Sequence, residues 1–185
     1  MVSERTTIQY SEQAAKARSV FINKNKDYGT SWRILRLPSL IDQIYIKTDR
    51  IRNIEEGKIP LVEDNTSSEY LGIINYCLIT LMQMELGKTS REGSDFEEVI
   101  IKYDYYLEEA KKLMQRKNHD YGEAWRNMYI SSYTDLILTK ILRIKQILEN
   151  DGHAQFSEGI DANLYDMINY SFFALIKLSE NNEAN

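Results

Sequence analysis

Turn-forming residues are scarce in this chain, with two prolines and eight glycines in 185 residues. That scarcity argues against a fold of many short strands and tight loops, and favours long uninterrupted elements. The one cysteine, Cys77, has no partner for an internal disulfide. A disulfide-stapled scaffold is therefore excluded, and a reducing, cytoplasmic setting is expected. No apolar run approaches the ~20 residues that a membrane-spanning helix needs. The start of the chain, MVSERTTIQY, lacks the apolar core of a signal peptide. Positive charge is not in excess either. A formal net charge of −5 and a pI near 5.2 argue against a broad nucleic-acid-binding face, though not against a local basic pocket. What is present is balanced: 43% apolar and 28% charged residues. At this length that is enough to bury one substantial core, and the chain reads as one domain over residues 1–185.

The chain is written twice. Residues 24–29 read KNKDYG and residues 117–122 read KNHDYG, an offset of 93. At that offset residues 24–56 hold 15 identities in 33 positions, among them Trp32/Trp125, Arg33/Arg126, Ser39/Ser132, Lys47/Lys140 and Arg50/Arg143. One residue is then inserted, and Ile74-Asn75-Tyr76 meets Ile168-Asn169-Tyr170 at an offset of 94. A period this long marks a duplicated subdomain, since solenoid repeats run about 20–50 residues. The repeats span about 9–86 and 94–180, joined near Gly87–Ser94.

Each repeat reads as three helices. The first covers about 9–25, with Ala14, Ala17, Val20, Phe21 and Lys24 at helical spacing, and its copy covers about 94–117. Gly29 and Pro38 interrupt the pattern. A second helix starts after Ser39, a good N-cap residue, and runs to Gly57; its copy runs from Ser132 to about Asn150. The third spans about 67–86, copied at about 161–179. No sustained two-residue alternation calls for strands. The expected fold is an all-α helical bundle of about six helices, built from two pseudo-twofold-related three-helix repeats.

Charges break the apolar pattern at matching places. On the second helices the stripes read Leu40, Ile44, Lys47, Ile51, Ile54 and Tyr133, Ile137, Lys140, Ile144, Ile147. A buried unpaired ammonium costs several kcal/mol, so each lysine must be paired, reach the surface, or face a ligand cavity. Arg50 and Arg143 follow one turn later, and a Lys–Arg pair on one helix suits a phosphate. On the last helix Asp166, Asn169 and Tyr170 share a face. In the first repeat Asn75 and Tyr76 recur, Gly72 replaces Asp166, and Glu69 lies one turn earlier, opposite Asn163. This face reads either as ion pairs beside a core Asn or as a polar pocket for a base, sugar or phosphate. Lys140, with Asp166, Asn169 and Tyr170 around it, is the stronger pocket candidate.

The repeated segment K-N-x-D-Y-G-x-x-W-R supplies Lys24, Asp27, Tyr28, Trp32 and Arg33, and Lys117, Asp120, Tyr121, Trp125 and Arg126. A left-handed glycine cap with aromatic residues packed over the turn explains part of it. Lys24, Asp27 and Arg33 are less well explained by capping: Asp27 could hold Arg33 in a rigid loop, or the segment could form a ligand wall. Familiar catalytic signatures are missing. His119 and His153 lack metal-ligand spacing, and neither a phosphate-binding Gly-rich loop nor a G-x-S-x-G element occurs. Acidic pairs such as Asp95/Glu98 and Glu158/Asp161 sit near helix starts, where carboxylates favour the helix dipole. An Mg²⁺ site would have to be assembled across helices from Asp27, Glu69, Asp120 and Asp166.

The K-N-x-D-Y-G-x-x-W-R pair, the following K-x-x-R and the D-x-x-N-Y-like element together resemble the first nucleotide modification associated domain family, here as two tandem copies. The resemblance covers nearly the whole chain. It implies a small α-helical domain of bacteria and phages, linked by genomic context to modified nucleotides. The layout also resembles, distantly, the all-α nucleoside triphosphate pyrophosphatases, which bind Mg²⁺ through E-x-x-E and E-x-x-D helices. Here Asn163-x-x-Asp166 keeps only the second acid and Glu69-x-x-Gly72 only the first. Two functions follow as expectations. One is a protein that binds or hydrolyses (deoxy)nucleotides with Mg²⁺, holding phosphate on Lys47, Lys140, Arg50 and Arg143. The other is a non-catalytic helical binding or scaffold module with a satisfied polar core. Both leave room for self-association into a homo-oligomer.

Overall fold

The computed structural model describes residues 3–61, 65–87, 93–150 and 159–183. Among them are six α-helices and no strand: α1 Glu4–Tyr28, α2 Leu37–Glu55, α3 Thr66–Leu86, α4 Phe96–Tyr121, α5 Ile130–Glu149 and α6 Ile160–Glu183. Short 3-10 turns, Ser31–Ile34 and Ala124–Asn127, follow α1 and α4. The all-α fold class expected from the sequence is therefore the one observed. Part of the expected join, residues 88–92, lies outside the described residues, as do His153 and Glu158.

Helix ends depart from the sequence reading for local reasons. The first helix begins at Glu4, because Ser3 caps it by accepting from the Thr6 N–H at 3.1 Å. Pro38 does not interrupt the second helix. It lies in the first turn of α2, where its missing N–H costs no hydrogen bond. Ser39 is consequently inside the helix, and Arg36 takes the cap position without a side-chain bond. The copy behaves alike, with α5 starting at Ile130 rather than Ser132. The third helix is capped by Asn65, which accepts from the Ser68 N–H at 2.8 Å.

The packing repeats as the sequence does. The most extensive helix pairings are α2 with α3, α5 with α6, α3 with α6, and α2 with α5, which closes a four-helix ring. On the other side α1 and α4 each pack against both α3 and α6. Exchanging α1 with α4, α2 with α5 and α3 with α6 maps this set onto itself, as a pseudo-twofold axis requires. The helices α3 and α6 are central, so α3 is buried nearly all round: Tyr70, Ile73, Ile74, Cys77, Leu78, Leu81 and Met82 point to every side of it. Buried side chains of both repeats belong to one continuous apolar cluster.

Two polar clamps cross that cluster. Asn75 on α3 donates to the Ala17 carbonyl of α1 at 3.1 Å and accepts from the Tyr103 hydroxyl of α4 at 2.8 Å. Asn169 on α6 donates to the Ala110 carbonyl of α4 at 3.1 Å and accepts from the Tyr10 hydroxyl of α1 at 2.8 Å. Each asparagine therefore ties the first helix of its own repeat to the first helix of the other. Burial holds the hydroxyls of Tyr10 and Tyr103 well above the ordinary tyrosine range, so both stay protonated donors.

Removing either hydroxyl leaves a buried amide oxygen unpaired, which costs about 1–3 kcal/mol. Tyr10→Phe and Tyr103→Phe should each lower stability by about that amount in urea denaturation at neutral pH, with similar losses because the two environments match. A change within error for both would show that the clamps add nothing to stability.

Candidate functional site

The repeated segment builds the same turn twice. Gly29 ends α1 at φ 58°, ψ −151°, and Gly122 ends α4 at φ 62°, ψ −150°. This is not the left-handed helical well expected from the sequence. It borders a region open essentially to glycine alone, so the requirement is stricter than for an ordinary cap. Beyond the chain neighbours, no heavy atom among the described residues stands within 4 Å of a Cβ built at either glycine, so the constraint is backbone conformation rather than space. The expected aromatic cover is also different: Tyr28 and Tyr121 are 73% and 76% exposed, and only Trp32 and Trp125 turn inward.

Each 3-10 turn is then fastened to the last helix of its repeat. Gln83 on α3 donates to the Arg33 and Leu35 carbonyls, both at 3.2 Å. Its equivalent Lys177 on α6 donates to the Arg126 carbonyl at 2.7 Å and, more closely, to that of Met128. Arg33 is buried and bonds to Gln83, not to Asp27 as the sequence suggested. Arg126 lies over the Trp125 ring at 4.3 Å and bonds to Glu123 and Thr6 at 2.7 Å, Gln9 at 2.8 Å and Glu180 at 2.9 Å. These arginines fasten turns and are poorly placed to meet a ligand.

The lysine stripes resolve into ion pairs. Lys47 reaches Glu69 at 3.1 Å, and Arg50 reaches the other oxygen of Glu69 at 2.5 Å. In the second repeat Asp166 takes Lys140 at 2.8 Å and Lys117 at 2.5 Å. Arg143 bonds instead to Gln146 on its own helix at 3.3 Å. Asn169 is consumed by its clamp, and the Tyr170 ring lies 6.4 Å from that of Tyr133. Asp27 is exposed, and Asp120 is exposed and, among the described residues, pairs with His119 at 3.1 Å. The four candidate metal ligands Asp27, Glu69, Asp120 and Asp166 are thus not brought together. Among the described residues no group of three or more His, Cys, Asp or Glu side chains could hold a metal ion.

A cavity of about 330 Å³ opens in the first repeat, between the end of α1, its 3-10 turn and α3. It gathers five of the candidates, Lys24, Tyr28, Trp32, Asn75 and Tyr76, around Asn25, Gly29, Ser31, Gly72 and Ile79. This cavity lies on the Lys24 side, and Lys140 is not among its lining residues. Asn25 spends its amide N–H on the Phe21 carbonyl at 2.9 Å. Its oxygen and the Trp32 indole nitrogen are buried with no hydrogen-bond partner among the described residues. Gly72 reads in the sequence only as a missing acid, whereas in the fold it makes room for Lys47. Lys47 lies across it, with Cε only 2.7 Å from where a Cβ would stand.

The model of the family described as nucleotide modification associated domain 1 matches residues 24–84 and 117–178. The chain belongs to that family, in two tandem copies. No curated protein and no solved structure matches it. Each matched segment begins at the Lys24/Lys117 pair and closes near the Gln83/Lys177 fastening, so it includes the turn, the lysine stripe and the clamp asparagine.

Two outcomes follow from these contacts. Lys117 and Lys140 share one carboxylate, so either alone keeps Asp166 paired. Lys117→Met and Lys140→Met should each cost at most about 1 kcal/mol, while the double variant strands a buried charge and should cost about 3–5 kcal/mol. Additive small losses in a double-mutant cycle would contradict the shared pairing. The second concerns acid. Desolvation raises the Glu123 carboxyl, but hydrogen bonds from Ser3, Thr6 and Arg126 and the Arg126 charge outweigh it, bringing it to about 2 from the ordinary 4.5. A lowered folded-state value stabilises above 4.5, and that contribution is lost as pH falls from 4.5 towards 2. Thermal melts of Glu123→Gln should show a shallower loss of stability over that window than the parent chain.

Proposed function

We propose that the chain binds a nucleotide, or a close phosphate-bearing relative, in the first-repeat cavity. The observation that carries this reading is the cavity itself: about 330 Å³, built largely by a segment belonging to a nucleotide-associated family, with aromatic side chains on its walls and a lysine at its edge. That volume is at the small end of ligand pockets, which suits one nucleoside unit better than a dinucleotide. Tyr28, Trp32 and Tyr76 offer faces for stacking a base, an interaction worth about 1–3 kcal/mol per base. The buried Asn25 oxygen and Trp32 N–H, both without a partner among the described residues, offer an acceptor and a donor beside the cavity. Lys24 supplies positive charge for phosphate.

Mg²⁺ enters this reading with the nucleotide, held mainly by phosphate oxygens and water, as is usual for a hard ion with few protein ligands. Binding is the better-supported activity. Hydrolysis would need a converging set of carboxylates, and Asp27, Glu69, Asp120 and Asp166 do not supply one. We place the protein in the cytoplasm, where free nucleotides are found. Its buried Cys77 needs no oxidising compartment, and no helix among the described residues is long and apolar enough to cross a membrane.

Calorimetric titration with deoxynucleoside mono- and triphosphates, with and without Mg²⁺, tests the reading. Saturable binding should appear and fall at least tenfold in Tyr76→Ala, which removes a stacking face without touching an ion pair. Silence across all nucleotides would favour the scaffold alternative.

A further inference from the structure

Positions 72 and 166 are equivalent under the 94-residue offset, and they differ by a carboxylate. In the second repeat Asp166 fills the place between two lysines, 2.5 Å from Lys117 and 2.8 Å from Lys140, with its side chain only 7% exposed. In the first repeat the same place holds Gly72, and the matching lysines behave differently. Lys24 makes no hydrogen bond or ion pair among the described residues. Lys47 turns aside to Glu69 and lays its methylenes over the glycine. The cavity borders both Lys24 and Gly72.

We propose that the two repeats carry one anion site in two states: filled by the chain's own Asp166 in the second, and without an acid in the first, where the phosphate of a ligand takes that place once Lys47 moves off the glycine. The rest of the ligand rests on the nucleotide reading above, but its anionic end does not. A phosphate oxygen where a carboxylate at position 72 would stand receives Lys24, as Asp166 receives Lys117. Lys47 is able to follow, because Glu69 keeps Arg50 at 2.5 Å and is not stranded when Lys47 leaves. In the second repeat Asp166 already fills that place between Lys117 and Lys140, so each chain takes one such ligand.

Gly72→Asp, with Gly72→Asn as its uncharged twin of the same shape, tests this by two readouts. The three atoms nearest the added Cβ, at 2.7 to 3.1 Å, all belong to the flexible end of Lys47, which can shift, so both variants should fold. In melts at low salt the Asp variant should be more stable than the Asn variant, and the gap should shrink in high salt as screening weakens the lysine pairs. Titration of the parent chain with deoxynucleoside monophosphates should give one equivalent per chain. The matching nucleosides should bind at least tenfold more weakly, and Gly72→Asp should lose at least tenfold against Gly72→Asn. An Asp variant no more stable than the Asn variant overturns the anion site, whatever nucleotides do. Two equivalents per parent chain, or undiminished monophosphate binding in a folded Gly72→Asp, overturns it as well. If the Asp variant is the more stable but no nucleotide binds, the nucleotide reading fails and the anion site stands, to be read with inorganic phosphate.

Discussion

The pairing of one asparagine with two different helices sets the terms for the rest of this fold. An amide side chain in an apolar interior needs both its ends answered, since an unpaired buried polar group costs about 1–3 kcal/mol out of a typical total of 5–15. Asn75 finds its acceptor in its own repeat and its donor in the other, and Asn169 reciprocates. Neither repeat alone completes either clamp. The central pair α3 and α6 is therefore held in register by directional bonds as well as by packing, and the ring closed by α2 and α5 is built on a fixed frame.

That frame places the chemistry at its edges. Because the 3-10 turns are fastened to α3 and α6 through Gln83 and Lys177, the tryptophans beside them are presented at fixed depth. Trp125 stacks on Phe173, with ring centroids 4.4 Å apart, while Trp32 borders a cavity. A neutral amide and an ammonium do the same work at the two fastenings, so what the turn requires is a donor and not a charge. The contrast with the acids is instructive: Glu69 and Asp166 sit one turn apart in the two copies, and that displacement decides where space is left.

Much of this was legible in the residues. Helix number, the duplication and the burial of both stripes follow from periodicity and a constant offset, signals that average over many positions. Boundaries were less legible, since Ser39 had the chemistry of a cap but Pro38 lies in the first turn of a helix capped three residues sooner, at Arg36. The Tyr–Asn clamps were missed because Tyr10 and Tyr103 lie upstream of the repeated motif. Carrying the 93-residue offset backwards pairs them, along with Ala17 and Ala110. The cavity could not be read at all. A glycine in an acid's place is equally consistent with a lost function and a created space, and only three-dimensional neighbours such as Lys47 separate the two.

The reciprocity of the clamps also bears on the history and engineering of such chains. Two copies that each lend the other a tyrosine behave as the two subunits of a symmetric dimer fused into one polypeptide. A chain with a single copy would meet the same hydrogen-bonding demand by joining a second molecule of itself, with the approximate axis becoming a crystallographer's true dyad. Fusion relaxes that symmetry. Once both copies are encoded separately, a difference such as Gly72 against Asp166 need be tolerated only once, and the two copies are free to diverge.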